Sequence, residues 1–344
     1  MSPITTPGEA GLNIHDLLSI VPRRMEWRIK HKSGEPYDLH DGLDPSYEGE
    51  GMWITDLYTR KAVERIQNHN SSTPLFLYLA FQAPHLMIQR PPDRYMSQYS
   101  GVRSVYQEGL PSGQQALHKA GAVTALDTGV GKVVDALKAA GLYDNSVIVF
   151  TTDNGGAPDK SSNFPLRDGK ESLYEGGVRG VGWVHSPLLC RRGLTSNRMM
   201  FITDWFTTLL SVAGLESLVP PNLDSFNVWS SISKNSKSGR KEIILNMDQD
   251  NFWGLWSASI RSTQFKLIWG QQKLLKQRVS RTIIHSSIHF SPSPDAFPTN
   301  QLYAVAIQMV EKACALELYN LKKDPKEKHN LMKVILTSTR ANQF

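Results

Sequence analysis

Cysteine is scarce: the 344 residues contain two, Cys190 and Cys314. Two cannot build a disulfide framework, and one bridge between them is allowed but not deducible from sequence. Neither has a second cysteine or a histidine at metal-ligand spacing, so neither marks a zinc site. Long apolar runs are also missing. No stretch reaches the roughly 18 apolar residues that span a bilayer. The first residues, Met1 to Trp27, lack a basic segment followed by an apolar one, so they do not read as a secretory signal. The sequon Asn70-Ser71-Ser72 would matter only in a secreted chain. Charge of one sign is never concentrated. Lys plus Arg is 38 against 32 Asp plus Glu, a net of +6, and the pI is about 9.1. The densest basic stretches, Lys234 to Lys241 and Lys322 to Lys328, are short and broken by serine or acidic residues. That speaks against nucleic-acid binding, which concentrates its charge on one element. A mild excess of positive charge suits an anionic substrate equally well.

Apolar residues make up 40% of the chain, ample for a core, and the length suggests two or three domains. Residues 1–36 show no sustained period and read as a poorly ordered or a replaced terminus. Ile54, Leu57, Tyr58, Ala62 and Ile66 recur at helical spacing. Leu75 to Phe81 is a continuous apolar run of strand length, as expected of a strand buried on both faces. Gln114 to Ala140 reads as a long helix with Gly141 at its C-terminal cap, although Gly129 and Gly131 weaken its middle. Val147 to Thr152 predicts a second buried strand, and Val178 to His185 another. Strand, long helix and strand in that order suggest a parallel α/β sheet, whose ligands gather at strand carboxyl ends. Asp204 is placed to cap a helix ending near Gly214. The polar segment Ser233 to Arg240 reads as a hinge. Beyond it, Glu242 to Met247, Ser257 to Ser262 and Phe265 to Trp269 predict a small antiparallel sheet. Ser291 to Pro298 reads as a loop.

Three places carry candidate chemistry. Asp153-Asn154 follows a predicted strand and precedes Gly155-Gly156. One charged and one neutral oxygen donor suit a hard cation such as Ca²⁺ or Mg²⁺, and the glycines let backbone approach a ligand closely. The same four residues also describe an ordinary turn, and two donors are too few for a divalent ion. His85 stands at a strand's carboxyl end, where an imidazole can donate to an anion or act as an acid; it also reads as a surface-loop histidine. Lys170 can bind an anion as a point charge, or be a solvated lysine.

Four segments together resemble a known family. Leu75 to His85, Val149 to Gly156, Phe164 to Gly180 and Leu316 to Leu331 are similar to the corresponding segments of sulfatases, most of all the arylsulfatase B-type members. The resemblance runs from about residue 40 to 332. It implies an α/β fold with a mixed, largely parallel sheet flanked by helices and a smaller C-terminal antiparallel sheet domain. It implies a truncated α/β domain over 37–235 and a C-terminal α+β domain over 236–344. Asp153 and Asn154 match the family's Asp-Asn pair of Ca²⁺ ligands. His85 and Lys170 match its sulfate-contacting histidine and lysine, and so stand as substrate-binding and catalytic candidates. The implied substrate is a sulfate ester, small or on a glycan, and the implied location is lysosomal or secreted.

Family members also carry an opening Asp-Asp pair, a Lys-x-His motif and a Cys-x-Pro/Ala-x-Arg motif whose cysteine becomes the formylglycine nucleophile. None of the three is found in these 344 residues. Cys190 is followed by Arg191-Arg192-Gly193, and Cys314 by Ala315-Leu316-Glu317. The expectation is a sulfatase-family chain, truncated at its front, that does not turn over alone and binds Ca²⁺ weakly or not at all. The alternative is a non-catalytic sulfatase-like protein that binds sulfated glycans or a protein partner. A phosphoester hydrolase of the same superfamily fits the sheet and the metal pair but not the segment 164–180.

Overall fold

The computed structural model describes residues 39–41, 44–85, 89–101, 113–157, 161–249, 256–270 and 316–332. The expectations for residues 1–36, for the loop 291–298 and for Cys314 lie outside them. The chain forms two compact units, one of residues 1–147 with 186–188, the other of 148–185 with 189–344.

The first unit opens on a short antiparallel pair, β1 (His40–Asp41) and β2 (Asp44–Pro45). Helix α1 (Ile54–Gln67) follows, with Asp56 in its first turn and Arg65 in its last, each of the sign the helix dipole favours. The five residues that predicted it, Ile54, Leu57, Tyr58, Ala62 and Ile66, are all buried. A single turn, α2 (Asp93–Met96), returns to α1, where the Tyr95 hydroxyl donates to Asp56 at 2.5 Å. Helix α3 (Gly113–Ala139) is the long predicted helix. It ends as expected: Gly141 has φ 68°, and the Leu142 N–H returns to the Leu137 carbonyl. Of the two glycines that weaken its middle, Gly129 has a packing reason and Gly131 has none. A Cβ on Gly129 would stand 2.6 Å from Thr59 Oγ1, so α1 and α3 meet more closely there than any side chain permits.

The strand expected over 75–81 is not formed among the described residues. A strand exists only by pairing, and this run makes no ladder with any described strand. Residues 77–80 line a small hollow with Tyr58 and Ala62, and Leu77 and Leu79 are partly buried while Phe76 and Tyr78 are 59% and 63% exposed.

The second unit begins with β3 (Ile148–Thr151), joined antiparallel to β4 (Gly182–His185) with Val149 opposite Val184. Phe150 and Trp183 stack across the pair at 5.4 Å. Between them lies the one-turn helix α4 (Glu175–Val178). Helices α5 (Asp204–Val212) and α6 (Trp229–Lys234) precede the C-terminal sheet. Asp204 begins α5 as its first residue rather than as its cap. The sheet comprises β5 (Glu242–Gln249), β6 (Trp256–Ser262), β7 (Phe265–Gly270) and β8 (Glu317–Asn320), antiparallel in that order. Three of the four are the predicted strands. The core of the unit unites Leu173 and Tyr174, just before α4, with Ile268, Tyr319 and Leu321.

Candidate functional site

Three of the four candidate residues belong to one hydrogen-bonded substructure of the second unit. Strand β3 ends at Thr151, and the chain turns through Asp153 to Gly156. Asp153 is exposed and Asn154 half-buried. The Asp153 carboxylate accepts from the Asn154 backbone N–H at 2.8 Å, while the Asn154 amide Nδ2 donates to the Gly155 carbonyl at 2.9 Å. That fixes which face of the Asn154 side chain is the donor and leaves its oxygen as the acceptor available to a cation.

The segment 163–178 folds directly onto this turn. The Lys170 backbone N–H donates to the Gly156 carbonyl at 3.0 Å, and the Gly155 N–H to the Gly177 carbonyl at 2.9 Å. Asn163 closes the arrangement. Its Oδ1 accepts from Gly156 N–H at 2.8 Å, and its Nδ2 donates to the carbonyls of Gly156 and Asp168 at 2.7 and 2.9 Å. One side-chain amide thus locks the candidate metal turn to the loop that carries Lys170. Sequence reasoning did not single out Asn163; nothing in its type or spacing distinguishes it from a loop asparagine.

The glycines explain how two backbones come so close. A Cβ on Gly155 would lie 1.7 Å from the Gly176 carbonyl oxygen. A Cβ on Gly176 would lie 2.3 Å from the carbonyls of Arg167 and Asp168. Real Cβ atoms do not occupy such positions, so these are backbone-on-backbone contacts that exclude any side chain. Gly155→Ala is therefore expected to force the turn and α4 apart and break the Gly155–Gly177 bond. The cost of such overpacking is about 1–3 kcal/mol or more. Urea denaturation with amide exchange at Gly155 and Lys170 checks it; a variant as stable and as protected as the parent would refute it.

Behind the loop lies a buried charged cluster that the sequence did not reveal. Lys266 on β7 is fully buried and pairs with Glu175 at 3.1 Å and Glu327 at 3.0 Å, both also buried. Arg261 reaches Glu175 at 3.4 Å, and the Glu175 N–H donates to Glu327 at 2.6 Å. Burial raises the Glu327 pKa, and the Lys266 ammonium only partly opposes it. Tyr174 and Tyr319 both donate to the Glu317 carboxylate. Burial, then that carboxylate, push both phenol pKa values up, so both hydroxyls stay protonated and donating.

His85 belongs to the other unit, where it is partly buried and its N–H donates to the Gln82 carbonyl at 2.9 Å. Cys190 is exposed and makes no disulfide among the described residues. Among the described residues no group of three His, Cys, Asp or Glu side chains is arranged to hold a metal. By their chemistry Asp153 and Asn154 could hold two positions of a hard-cation site, where calcium takes six to eight oxygens.

The sulfatase family model matches residues 27–215, more than half of the chain. Mouse arylsulfatase J is 34% identical over 250 residues, which are 68% of this chain and 40% of that protein. Mouse N-acetylgalactosamine-6-sulfatase is 34% identical over 178 residues, 49% of this chain and 30% of that protein. The chain thus spans less than half the length of these relatives. Among solved structures, Ps i-CgsB in complex with k-i-k-neocarrahexaose covers 85% of this chain and 56% of its own, at 28% identity and a TM-score of 0.59. A sulfatase of Bacteroides fragilis shares the fold at 18% identity and a TM-score of 0.60. The α/β fold with its small C-terminal antiparallel sheet is that of these structures, and the chain belongs to the sulfatase family.

Proposed function

We propose that this chain forms the sulfate-binding and half of the metal-binding part of a sulfatase that hydrolyses sulfate esters, with sulfated glycans as its substrate class. The reading rests on one observation above the others: Asp153-Asn154 and Lys170 belong to a single hydrogen-bonded unit, closed by Asn163. In this reading Lys170 meets the sulfate oxygens as a point charge, and His85 donates to them. Asp153 and Asn154 supply two oxygens to a hard divalent cation, which the resemblance to the family makes calcium. When bound, such a cation offsets the negative charge on the sulfate oxygens. The name of N-acetylgalactosamine-6-sulfatase and the oligosaccharide in the Ps i-CgsB complex support a glycan as the carrier of the sulfate. The reading places the protein in the lysosome or outside the cell, as a glycoprotein. No helix among the described residues is long and apolar enough to cross a membrane.

The nucleophile motif Cys-x-Pro/Ala-x-Arg is not present in the 344 residues. The second reading is a non-catalytic binder of sulfated glycans or of a protein partner. The first reading, and the second in its glycan-binding form, predict sulfate binding through Lys170, and both readings predict no turnover of 4-nitrophenyl sulfate by the 344-residue chain, with or without added calcium. Titration with inorganic sulfate followed by calorimetry checks the first part, and Lys170→Ala is expected to abolish saturable binding. Turnover by the purified chain would overturn the assignment of the nucleophile to residues it does not contain. Sulfate binding indifferent to Lys170→Ala would overturn the site. Expression of a longer chain that contains the motif separates the two readings: hydrolysis supports the enzyme, binding without hydrolysis the binder.

A further inference from the structure

Lys170 sits in a loop whose backbone is costly. Asp168 and Glu171, on either side of Gly169-Lys170, have φ of 61° and 72°. Left-handed backbone at non-glycine residues persists only where the surroundings over-determine it, and such positions gather at ligand clamps. Asn163 holds one side of this loop, through the Asp168 carbonyl. Arg167 holds the other. Its Nη1 donates to the Tyr319 hydroxyl at 2.7 Å and to the Glu327 carbonyl at 2.6 Å. Its guanidinium lies 3.9 Å from the centre of the Tyr174 ring. Its own carbonyl accepts from the Gly176 N–H at 2.8 Å. Burial works against the guanidinium's charge, but the Tyr174 and Tyr319 oxygens and the Glu317 carboxylate raise its pKa, so it stays a cation.

We infer that Arg167 is a positioning residue for Lys170: it ties the strained anion-binding loop to β8 and to the turn at Asp324–Glu327, and so sets where the Lys170 ammonium stands. The inference rests on the reading of Lys170 as a sulfate-contacting cation. The C-terminal sheet then has a part in substrate binding through its hold on Arg167. A lysine does not replace Arg167, because its compact ammonium cannot lie flat on the Tyr174 ring while one nitrogen serves both acceptors. The loop's conformation depends on that group from outside, so the effect on the anion passes through Lys170 alone.

The test titrates the 344-residue chain with inorganic sulfate, in the parent and in Arg167→Lys, Lys170→Ala and the double variant. Arg167→Lys is expected to weaken sulfate binding tenfold or more. The double variant is expected to bind no more weakly than Lys170→Ala, since a positioning residue has nothing left to position. Parent-like binding by Arg167→Lys, or losses that add in the double variant, would overturn the inference. If Arg167→Lys does not fold, Tyr319→Phe removes one of the two acceptors and leaves the ring in place; it is expected to weaken sulfate binding by a smaller factor, and unchanged binding counts against the inference. Should the parent not bind sulfate at all, the reading of Lys170 fails by itself, and amide exchange decides the positioning claim. Protection lost at Lys170 and Gly177 but kept at Ile243 and Ile268 in Arg167→Lys supports it. Protection unchanged at Lys170 overturns it.

Discussion

Lys266→Met is expected to destabilise the second unit by about 3–5 kcal/mol, the cost of removing one partner from a buried ion pair. The reason is the company Lys266 keeps. Its ammonium is fully buried between the Glu175 and Glu327 carboxylates, which are 2% and 0% exposed. Methionine matches the length of the stem but leaves two carboxylates facing each other with Arg261 as their nearest remaining cation, at 3.4 Å from Glu175. The pH dependence follows from Glu327, whose pKa burial already holds above the ordinary carboxylate value. A carboxyl raised in the folded state binds more protons folded than unfolded. Its contribution to stability is thus fully present below its unfolded pKa and is lost as pH rises through the folded one. Without Lys266 the raising effect of burial is less opposed, so the loss in the variant should be largest near neutrality and shrink as pH falls. Urea midpoints measured across that range check both parts. Adding Glu327→Gln to Lys266→Met should recover stability by removing one unpaired charge. A variant whose midpoint matches the parent, or whose deficit grows in acid, would show that the cluster does not carry the load assigned to it.

The cluster also shows what kind of information the linear sequence holds. Helices α1 and α3 were legible because burial repeats along one chain segment: Ile54 to Ile66 at helical spacing, and Gly141 where an L residue resists the required backbone. Strands β5, β6 and β7 were legible because they follow one another at close spacing in the chain. The candidate metal turn and the Lys170 loop were legible through family resemblance, and the glycines around them carry the physical reason, since Gly155 and Gly176 stand where no Cβ fits. What was not legible depends on pairs far apart in sequence. Arg167 and Tyr319 are 152 residues apart, and Lys266 and Glu175 are 91 apart. Each looks solvated in its own segment, because a buried charge is recognised only from its partner. The run 75–81 failed in the opposite sense. Its composition predicts a strand, but pairing is a property of two segments, and among the described residues none pairs with it.

Arg240 is the sharpest case of a residue misjudged from its own segment, and Arg240→Met is expected to cost about 3–5 kcal/mol as well. In sequence it closes a polar stretch, Ser233 to Arg240, that reads as a hinge. In the structure its side chain is 3% exposed and meets Asp204, 0% exposed, with Nε 2.8 Å from Oδ2 and Nη2 2.7 Å from Oδ1. The same guanidinium reaches Asp224 at 3.0 Å and lies 4.7 Å from the centre of the Phe226 ring. Asp204 in turn accepts backbone N–H groups from Phe201 and Phe226, both at 2.8 Å. The hydrogen bonds that Arg240 donates to Asp204 raise its pKa above the ordinary value. This two-pronged pair holds the first residue of α5, the strand of chain before α6 and the approach to β5 in one place. Methionine would leave the Asp204 carboxylate buried with two neutral donors and no cation. Arg240→Lys keeps a charge but loses the fork, so its cost should fall between the parent and methionine. Asp204→Asn in the Arg240→Met background should recover part of the loss, because the unpaired charge is then gone. Urea denaturation of the four proteins measures the coupling directly. If Arg240→Met falls within about 0.5 kcal/mol of the parent, as a surface substitution does, the segment is the solvated hinge that its composition suggests. If the predicted ranking holds, the polar stretch instead ends on a buried anchor, and α5 and β5 stand or fall together.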